Sequence, residues 1–348
     1  LFIQWAAVFP VALRKKLPAG DQLAKNFDAI RCINGQNSQT SRNRELWAMP
    51  NSRLFKLVKH TVLTCLLGMF MTLVHAESPA GMKLYVFNSG ALKLGKGALQ
   101  NLAPMQPKIT IPVAMFVITH PKGNVMFDTG NNDRIITDPS YWGPNYASLE
   151  PAMTQEVSIE AQLARINMMP DDIKYVVLSH MHLDHGGNVA KFPNSTMVLQ
   201  RDELEYAMFP DAPFAGAFIA GDVNALRSAT GVPQPNAMPI ELLEGDFDIF
   251  GDQSVVVKRS RGHTKGSQML VVRLPNYGTV ILTGDSAYFS DNIEKNIPPN
   301  ILLAYDPPGI LKGYEWIRQM MATEGAKYFT SHDPEAFEAY KKPPEYYD

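Results

Sequence analysis

Residues 179–188, SHMHLDHGGN, place His180, His182, Asp184 and His185 within six positions, directly after an apolar run. In extended backbone, alternate side chains share a side, so a strand continuing out of residues 174–179 would turn His180 and His182 toward one metal ion. Asp184 and His185 follow, where the Gly186-Gly187 pair allows a sharp turn and can bring a second ion alongside. The bland alternative is a polar loop decorated with histidines. Three imidazoles and a carboxylate this close are poor packing residues but suit a shared electron-poor centre.

The other histidines are placed in the same way. Of the eight, His60 and His75 lie in an N-terminal stretch, His120 sits in THPKGN and reads as a turn residue, and three belong to the cluster. His263 follows the strand-like run 254–260, Asp285 follows 278–284, and His332 follows 326–330. Four separate runs thus each deliver a possible ligand at their C-terminal end, which is how sheets converge side chains at one rim. A lone histidine after a strand is usually structural. Four ends that agree are better explained by a common centre.

The set His180-x-His182-x-Asp184-His185, then His263, Asp285 and His332, resembles the dinuclear hydrolase signature of the metallo-β-lactamase superfamily, and within it the N-acyl homoserine lactonases. FDTG at 127–130 is similar to that family's early strand-turn motif. GHTKGSQ at 262–268 is similar to its glycine-flanked histidine motif. DSAYFSDNIE at 285–294 is similar to its metal-bridging aspartate followed three residues later by a tyrosine, here Tyr288. The resemblance runs from about residue 83 to the C-terminus. The ligand set points to the superfamily, whereas the lactonase branch rests chiefly on Tyr288 and its surroundings.

Upstream of that region the chain changes character. Residues 53–60 carry Arg53, Lys56 and Lys59, residues 61–74 are mainly apolar, and Val74 and Ala76 occupy the two positions a signal peptidase reads. That order is expected of a secretory signal peptide spanning 49–76, with Met49 as initiator. The apolar core of 14 residues falls short of the about 18 needed for a retained membrane helix, so no stable membrane anchor is expected and the protein is expected to be exported, to the periplasm or beyond. Residues 1–48 have no periodicity and read as a mis-set translation start, with a genuine pre-sequence as the alternative. Residues 77–348 are then expected to form one hydrolase domain.

The charge balance divides at the same place. Residues 77–348 carry 22 Lys and Arg against 31 Asp and Glu, a net charge of −9, whereas residues 1–76 carry +7. An acidic domain without a basic stripe argues against nucleic acid as substrate or partner. Cys32 and Cys65 both precede residue 77, so the expected mature chain needs no disulfide and has no thiolate ligand.

Strand-like runs fall at 83–87, 113–118, 124–127, 174–179, 196–200, 254–260, 269–274 and 279–282, and helical patterns at 158–167, 201–208 and 309–323. Two groups of strands, each followed by helices, suit an α/β fold with two packed sheets and helices on the outer faces. The resemblance implies the same αββα sandwich, with the metal ions at the rim between the sheets. Residues 209–239 mix apolar residues with chain breakers and read as an insertion covering the site. Met105, Met115, Met168 and Met169 read as core filling rather than a copper site.

The resemblance also implies roles. His180, His182 and His263 would hold one divalent ion, Asp184, His185 and His332 the other, and Asp285 would bridge them. Zinc suits such nitrogen and oxygen ligands, as do cobalt, manganese, iron and nickel. Water on such ions has its pKa lowered from about 15.7 toward about 7, making hydroxide available to attack the carbonyl of an acyl lactone, the implied substrate. Tyr288 would donate to the oxyanion, with a core tyrosine as the alternative, and Asp184 would carry a proton to the leaving oxygen. Asp128, in FDTG, would either orient a ligand imidazole or bond its own turn. A β-lactamase is disfavoured, because that branch generally lacks an aspartate at the position of Asp285. A phosphotriesterase or another ester hydrolase of the superfamily remains open, and a non-enzymatic binding role would need a metal set without an open coordination position.

Overall fold

The computed structural model describes residues 78–212, 214–230 and 238–348. The signal peptide assigned to 49–76 and the stretch 1–48 lie outside the described residues, as do residue 213 and residues 231–237 within the segment 209–239. Eleven strands are described: β1 (Lys83–Gly95), β2 (Lys108–Thr119), β3 (Asn124–Phe127), β4 (Ile173–Val177), β5 (Thr196–Gln200), β6 (Ile240–Leu243), β7 (Phe247–Asp248), β8 (Val255–Arg259), β9 (Gln268–Leu274), β10 (Gly278–Leu282) and β11 (Lys327–Phe329). They form a six-stranded sheet in the order β1-β2-β3-β4-β5-β6 and a five-stranded sheet in the order β11-β10-β9-β8-β7.

Period-two alternation along these strands sorts their side chains between two faces. Val86, Phe116, Phe127, Val177 and Val198 of the first sheet share one buried cluster with Val257, Leu270, Val272, Val280, Leu282 and Phe329 of the second. Their neighbours Phe87, Met115, Val117, Val176 and Met197 point the other way, against the helices α1 (Ile159–Ala164), α2 (Arg201–Met208) and α3 (Ala220–Thr230). On the second sheet's outer face, Met269 and Ile281 meet Ile310, Tyr314 and Ile317 of α4 (Pro307–Glu324). The result is the expected αββα sandwich. Helix α4 starts cleanly because the Asp306 side chain accepts from the Gly309 N–H and prolines follow it, and it ends at Gly325 with φ +64.

Several details differ from the sequence reading. β1 runs eight residues past 87, because the breakers in NSG make a bulge instead of ending the strand: pairing with β2 shifts register between Asn88 and Ala91, and Asn88 Oδ1 accepts from the Gly90 N–H. The short strands β6 and β7 were not legible. β4 stops at Val177, so His180 and His182 are not strand residues; Ser179 instead gives its carbonyl to the Gln268 N–H at the start of β9. Met115 fills the core and Met168 packs against it, but Met105 and Met169 are more than half exposed and fill nothing. His120 does cap a turn, accepting from the Gly123 N–H, yet its ring is buried and stacked 3.8 Å from Phe250. Among the described residues no helix is long and apolar enough to cross a membrane.

Candidate metal centre

Five strand ends converge. β3 is followed by Asp128, β4 by the loop holding His180, His182, Asp184 and His185, β8 by the turn with His263, β10 by Asp285, and β11 by His332. β3 and β4 are parallel, as are β10 and β11, so these ends share a rim. All five histidines and Asp285 are buried, while Asp184 retains partial exposure.

The close packing of the 178–188 loop explains the glycine pair. Neither Gly186 nor Gly187 needs a left-handed φ; a Cβ on Gly187 would lie 2.4 Å from the Asn132 nitrogen and 2.5 Å from the Gly130 carbonyl oxygen. Glycine is there for close approach to the FDTG turn, not for turning. Thr129 donates its backbone N–H and its hydroxyl to the His185 carbonyl, and the Asn188 amide spans the Thr129 and Asn131 carbonyls. Asp128 itself sits at φ +61, a conformation that costs most residues about 1 kcal/mol and that aspartate tolerates better than most.

That strained position aims a carboxylate at the histidine loop. Asp128 Oδ1 accepts from the Ser179 N–H at 2.6 Å, and Oδ2 accepts from the Ser179 hydroxyl at 2.7 Å and from His185 Nδ1 at 2.8 Å. The orienting reading of Asp128 therefore holds over the turn alternative. Ser179, whose proton goes to Asp128, is left as acceptor for His180 Nδ1 at 3.0 Å. His263 Nδ1 donates to the Leu303 carbonyl at 2.8 Å, and His332 Nδ1 to the Pro112 carbonyl at 2.7 Å. In four rings the Nδ1 proton is thus committed and Nε2 is left bare.

Those bare nitrogens face one another. His180 Nε2 and His263 Nε2 are 3.1 Å apart, and His185 Nε2 and His332 Nε2 are 3.2 Å apart. Two lone pairs at that separation repel unless a cation lies between them. His182 uses its other nitrogen, with Nδ1 2.9 Å from His263 Nε2 and Nε2 buried without a partner. Asp285 presents one oxygen to each group: Oδ2 is 3.9 Å from His180 Nε2 and 3.5 Å from His263 Nε2, while Oδ1 is 3.1 Å from both His185 Nε2 and His332 Nε2. Oδ1 is buried and makes no hydrogen bond. Asp184 Oδ2 lies 3.6 Å from His332 Nε2 and 3.9 Å from His185 Nε2. Ligand atoms of His180, His182 and His263, of His180, His185 and Asp285, and of Asp184, His185 and His332 each fall within 4.8 Å of one another. This donor set fits two divalent ions sharing a carboxylate.

Tyr288 is buried in a cluster with Leu183, Trp142 and Phe289, and its ring lies 5.8 Å from that of His332. Its hydroxyl is 3.2 Å from His263 Nδ1. Because that nitrogen's proton already goes to Leu303, the phenol keeps its own proton for another acceptor. Burial, and then the Asp285 charge, hold its pKa well above the usual tyrosine value, so it is a donor at any physiological pH. The ring is thus packed in the core while the hydroxyl is turned to the histidine cluster. The segment 209–239 reaches the same place: Phe218 sits edge-on to His182 at 4.8 Å, and the Ala217 carbonyl accepts from the Leu183 N–H. Ser179 was missed in the sequence; its position directly before the histidine motif was the available signal.

A family model for the metallo-β-lactamase superfamily matches residues 110–332. The N-acyl homoserine lactonase AttM of Azorhizobium caulinodans is 35% identical over 272 residues, covering 77% of this chain and 99% of that protein. The AttM lactonase of Rhizobium radiobacter is 33% identical over 271 residues, with 76% and 98% covered. A solved N-acyl homoserine lactone hydrolase with N-hexanoyl-L-homoserine at its catalytic metal centre superposes with a TM-score of 0.64 at 24% identity, over 76% of this chain and 98% of that one, and shares the fold. The chain belongs to the metallo-β-lactamase superfamily and, within it, to the family of the N-acyl homoserine lactonases.

Proposed function

We propose that this protein hydrolyses the lactone ring of N-acyl homoserine lactones, the reaction that silences such signals. The observation that carries the reading is Asp285, a buried carboxylate with one oxygen turned to each half of a five-histidine cluster and with a protonated phenol nearby. His180, His182 and His263 would hold one divalent ion and Asp184, His185 and His332 the other, with Asp285 between them. Zinc is the ion we infer, from a ligand set of nitrogen and oxygen atoms alone. When bound, the ions supply an acidified water and an electrophile for the carbonyl.

The chain's own groups do the rest. Tyr288 donates its phenol proton as a hydrogen bond to the carbonyl oxygen as negative charge develops there. The attacking water forms a bond to the carbonyl carbon and gives up a proton to Asp184, the most exposed of the proposed ligands; the ring C–O bond then breaks, and Asp184 passes that proton to the departing alkoxide. Phe218 closes the His182 side against water. Addition of one water yields the ring-opened acyl homoserine, a carboxylate and an alcohol, with release of one proton.

The test is hydrolysis of an N-acyl homoserine lactone set beside an aryl phosphotriester, by protein stripped with chelator and reloaded with zinc. The lactone should be turned over at least 100-fold more efficiently, as kcat/KM, and only after reloading. A preference for the phosphotriester would overturn the reading in favour of the other hydrolase class. We also infer that residues 49–76 direct export of a single domain beginning near Glu77. N-terminal sequencing of the exported protein that still found Arg53 would refute this.

A further inference from the structure

Glu203 is the third residue of α2, and it is fully buried, with no basic side chain among the described residues bonded to it. Its carboxylate accepts three hydrogen bonds from two distant parts of the chain. Oε1 takes the Met181 N–H at 2.8 Å, while Oε2 takes the Thr264 hydroxyl and the Gly266 N–H, the latter at 3.1 Å. Met181 stands between His180 and His182, and Thr264 directly follows His263. One buried carboxyl group therefore grips the chain beside all three nitrogen ligands of the first half, and among the described residues its hydrogen bonds reach no neighbour of His332 or Asp285.

The contact is built on both sides. A Cβ on Gly266 would lie 2.3 Å from the Glu203 nitrogen, so only glycine lets the 262–268 turn rest on the start of α2. A buried carboxylate is costly unless its lone pairs are filled, and here three donors fill them. Loss of the carboxylate would leave all three donors unpaired and the two loops free to separate.

We propose that Glu203 is a positioning residue that sets the affinity of the first metal site by fixing the His180–His182 loop against the His263 turn. This rests on the reading that His180, His182 and His263 hold an ion. Glu203→Gln keeps the shape but sets an amide N–H against an N–H or O–H donor on one arm, whichever way the amide faces. Thr264→Val removes only the hydroxyl arm, and Thr264→Ser restores it.

The experiment is a chelator titration of the zinc-loaded full chain, with metal content read by mass spectrometry and folding by circular dichroism. Wild type should release two ions in two steps, assigned to the halves by which step disappears in His182→Ala and in His332→Ala. Glu203→Gln should shift the His182-linked step by about 10- to 100-fold, the range for residues that orient ligands, and leave the His332-linked step within about 2-fold. Thr264→Val should shift the same step by less, and Thr264→Ser should lie near wild type. If both steps move together, or neither moves in a folded variant, the proposal is overturned. Should Glu203→Gln fail to fold, Thr264→Val decides alone, and an unmoved step there overturns it. A wild-type chain that binds no zinc would instead refute the metal reading itself.

Discussion

The two halves of the centre are built from similar residues in unlike surroundings. Burial acts first on all five imidazoles and disfavours their charged forms. In the first half nothing reverses it: His180 and His182 are held well below the usual histidine range by burial and by neighbouring imidazoles, and His263 is lowered by burial although Asp285 opposes it. In the second half the carboxylates win. Asp285, Asp184 and Asp128 lift His185 well above its usual value, and Asp285 and Asp184 raise His332. One half offers neutral nitrogens, and the other offers two nitrogens within a field of three carboxylates. Asp285 belongs to both: burial acts to raise its carboxyl, but His185 and His332 beside it hold it well below the ordinary range.

If that contrast is correct, Asp285→Asn should have the largest effect. It keeps the size but removes the charge that both halves share, so the two ions repel more strongly. Metal content should fall below two per chain and lactone turnover should be lost. A variant with two ions and normal turnover would show that the halves do not depend on a common bridge.

Tyr288→Phe tests a group that touches the first half without being a ligand. Removing one oxyanion donor typically costs on the order of 100-fold in kcat, while metal content should stay at the wild-type value. Wild-type lactone kinetics would leave Tyr288 as a packing residue only.

Asp128→Asn should separate the halves. The carboxylate that holds His185 loses its charge, so the second ion should bind about 10- to 100-fold more weakly. The first ion should weaken less, because Asp128 reaches His180 only through Ser179. Equal weakening of both ions, measured by chelator competition, would mean that Ser179 couples the halves completely.

The smallest effect is expected outside both halves, at Asp222 of α3. Burial pushes its carboxyl up to about 7, against hydrogen bonds from Tyr141 and Asn132. A raised carboxyl contributes stability that is complete below its unfolded value and is lost as pH rises through about 7. Asp222→Asn should therefore be more stable than wild type at pH 8 by on the order of 2 kcal/mol, with a smaller difference at pH 5. Thermal unfolding at the two pH values checks this. A difference independent of pH would show that Asp222 is not titrating.

The comparison also shows why parts of the centre were legible. Every proposed ligand is a His or Asp placed after an apolar run, and the structure brings all seven together. Strand alternation is nonetheless not what aligns His180 with His182. β4 ends at Val177, and a loop tied to Asp128, Glu203 and Gln268 aims them instead. The far half of β1 was hidden because NSG reads as a breaker when its bulge partner on β2 is not known. Two methionines assigned to the core are exposed, since methionine in a short window carries no sign of which way it faces.

From its residue order alone this chain determined its two sheets, since strands that alternate or run apolar can bury themselves in few other ways. Its order also set which side chains stand at the strand ends. Only the tertiary structure decided how each imidazole is held. Two of the four acceptors that fix the rings are the backbone carbonyls of Leu303 and Pro112, 40 and 220 residues from the histidines they serve. Every residue has such a carbonyl, so no amino-acid type marks the two that matter, and only the packing of distant segments can select them.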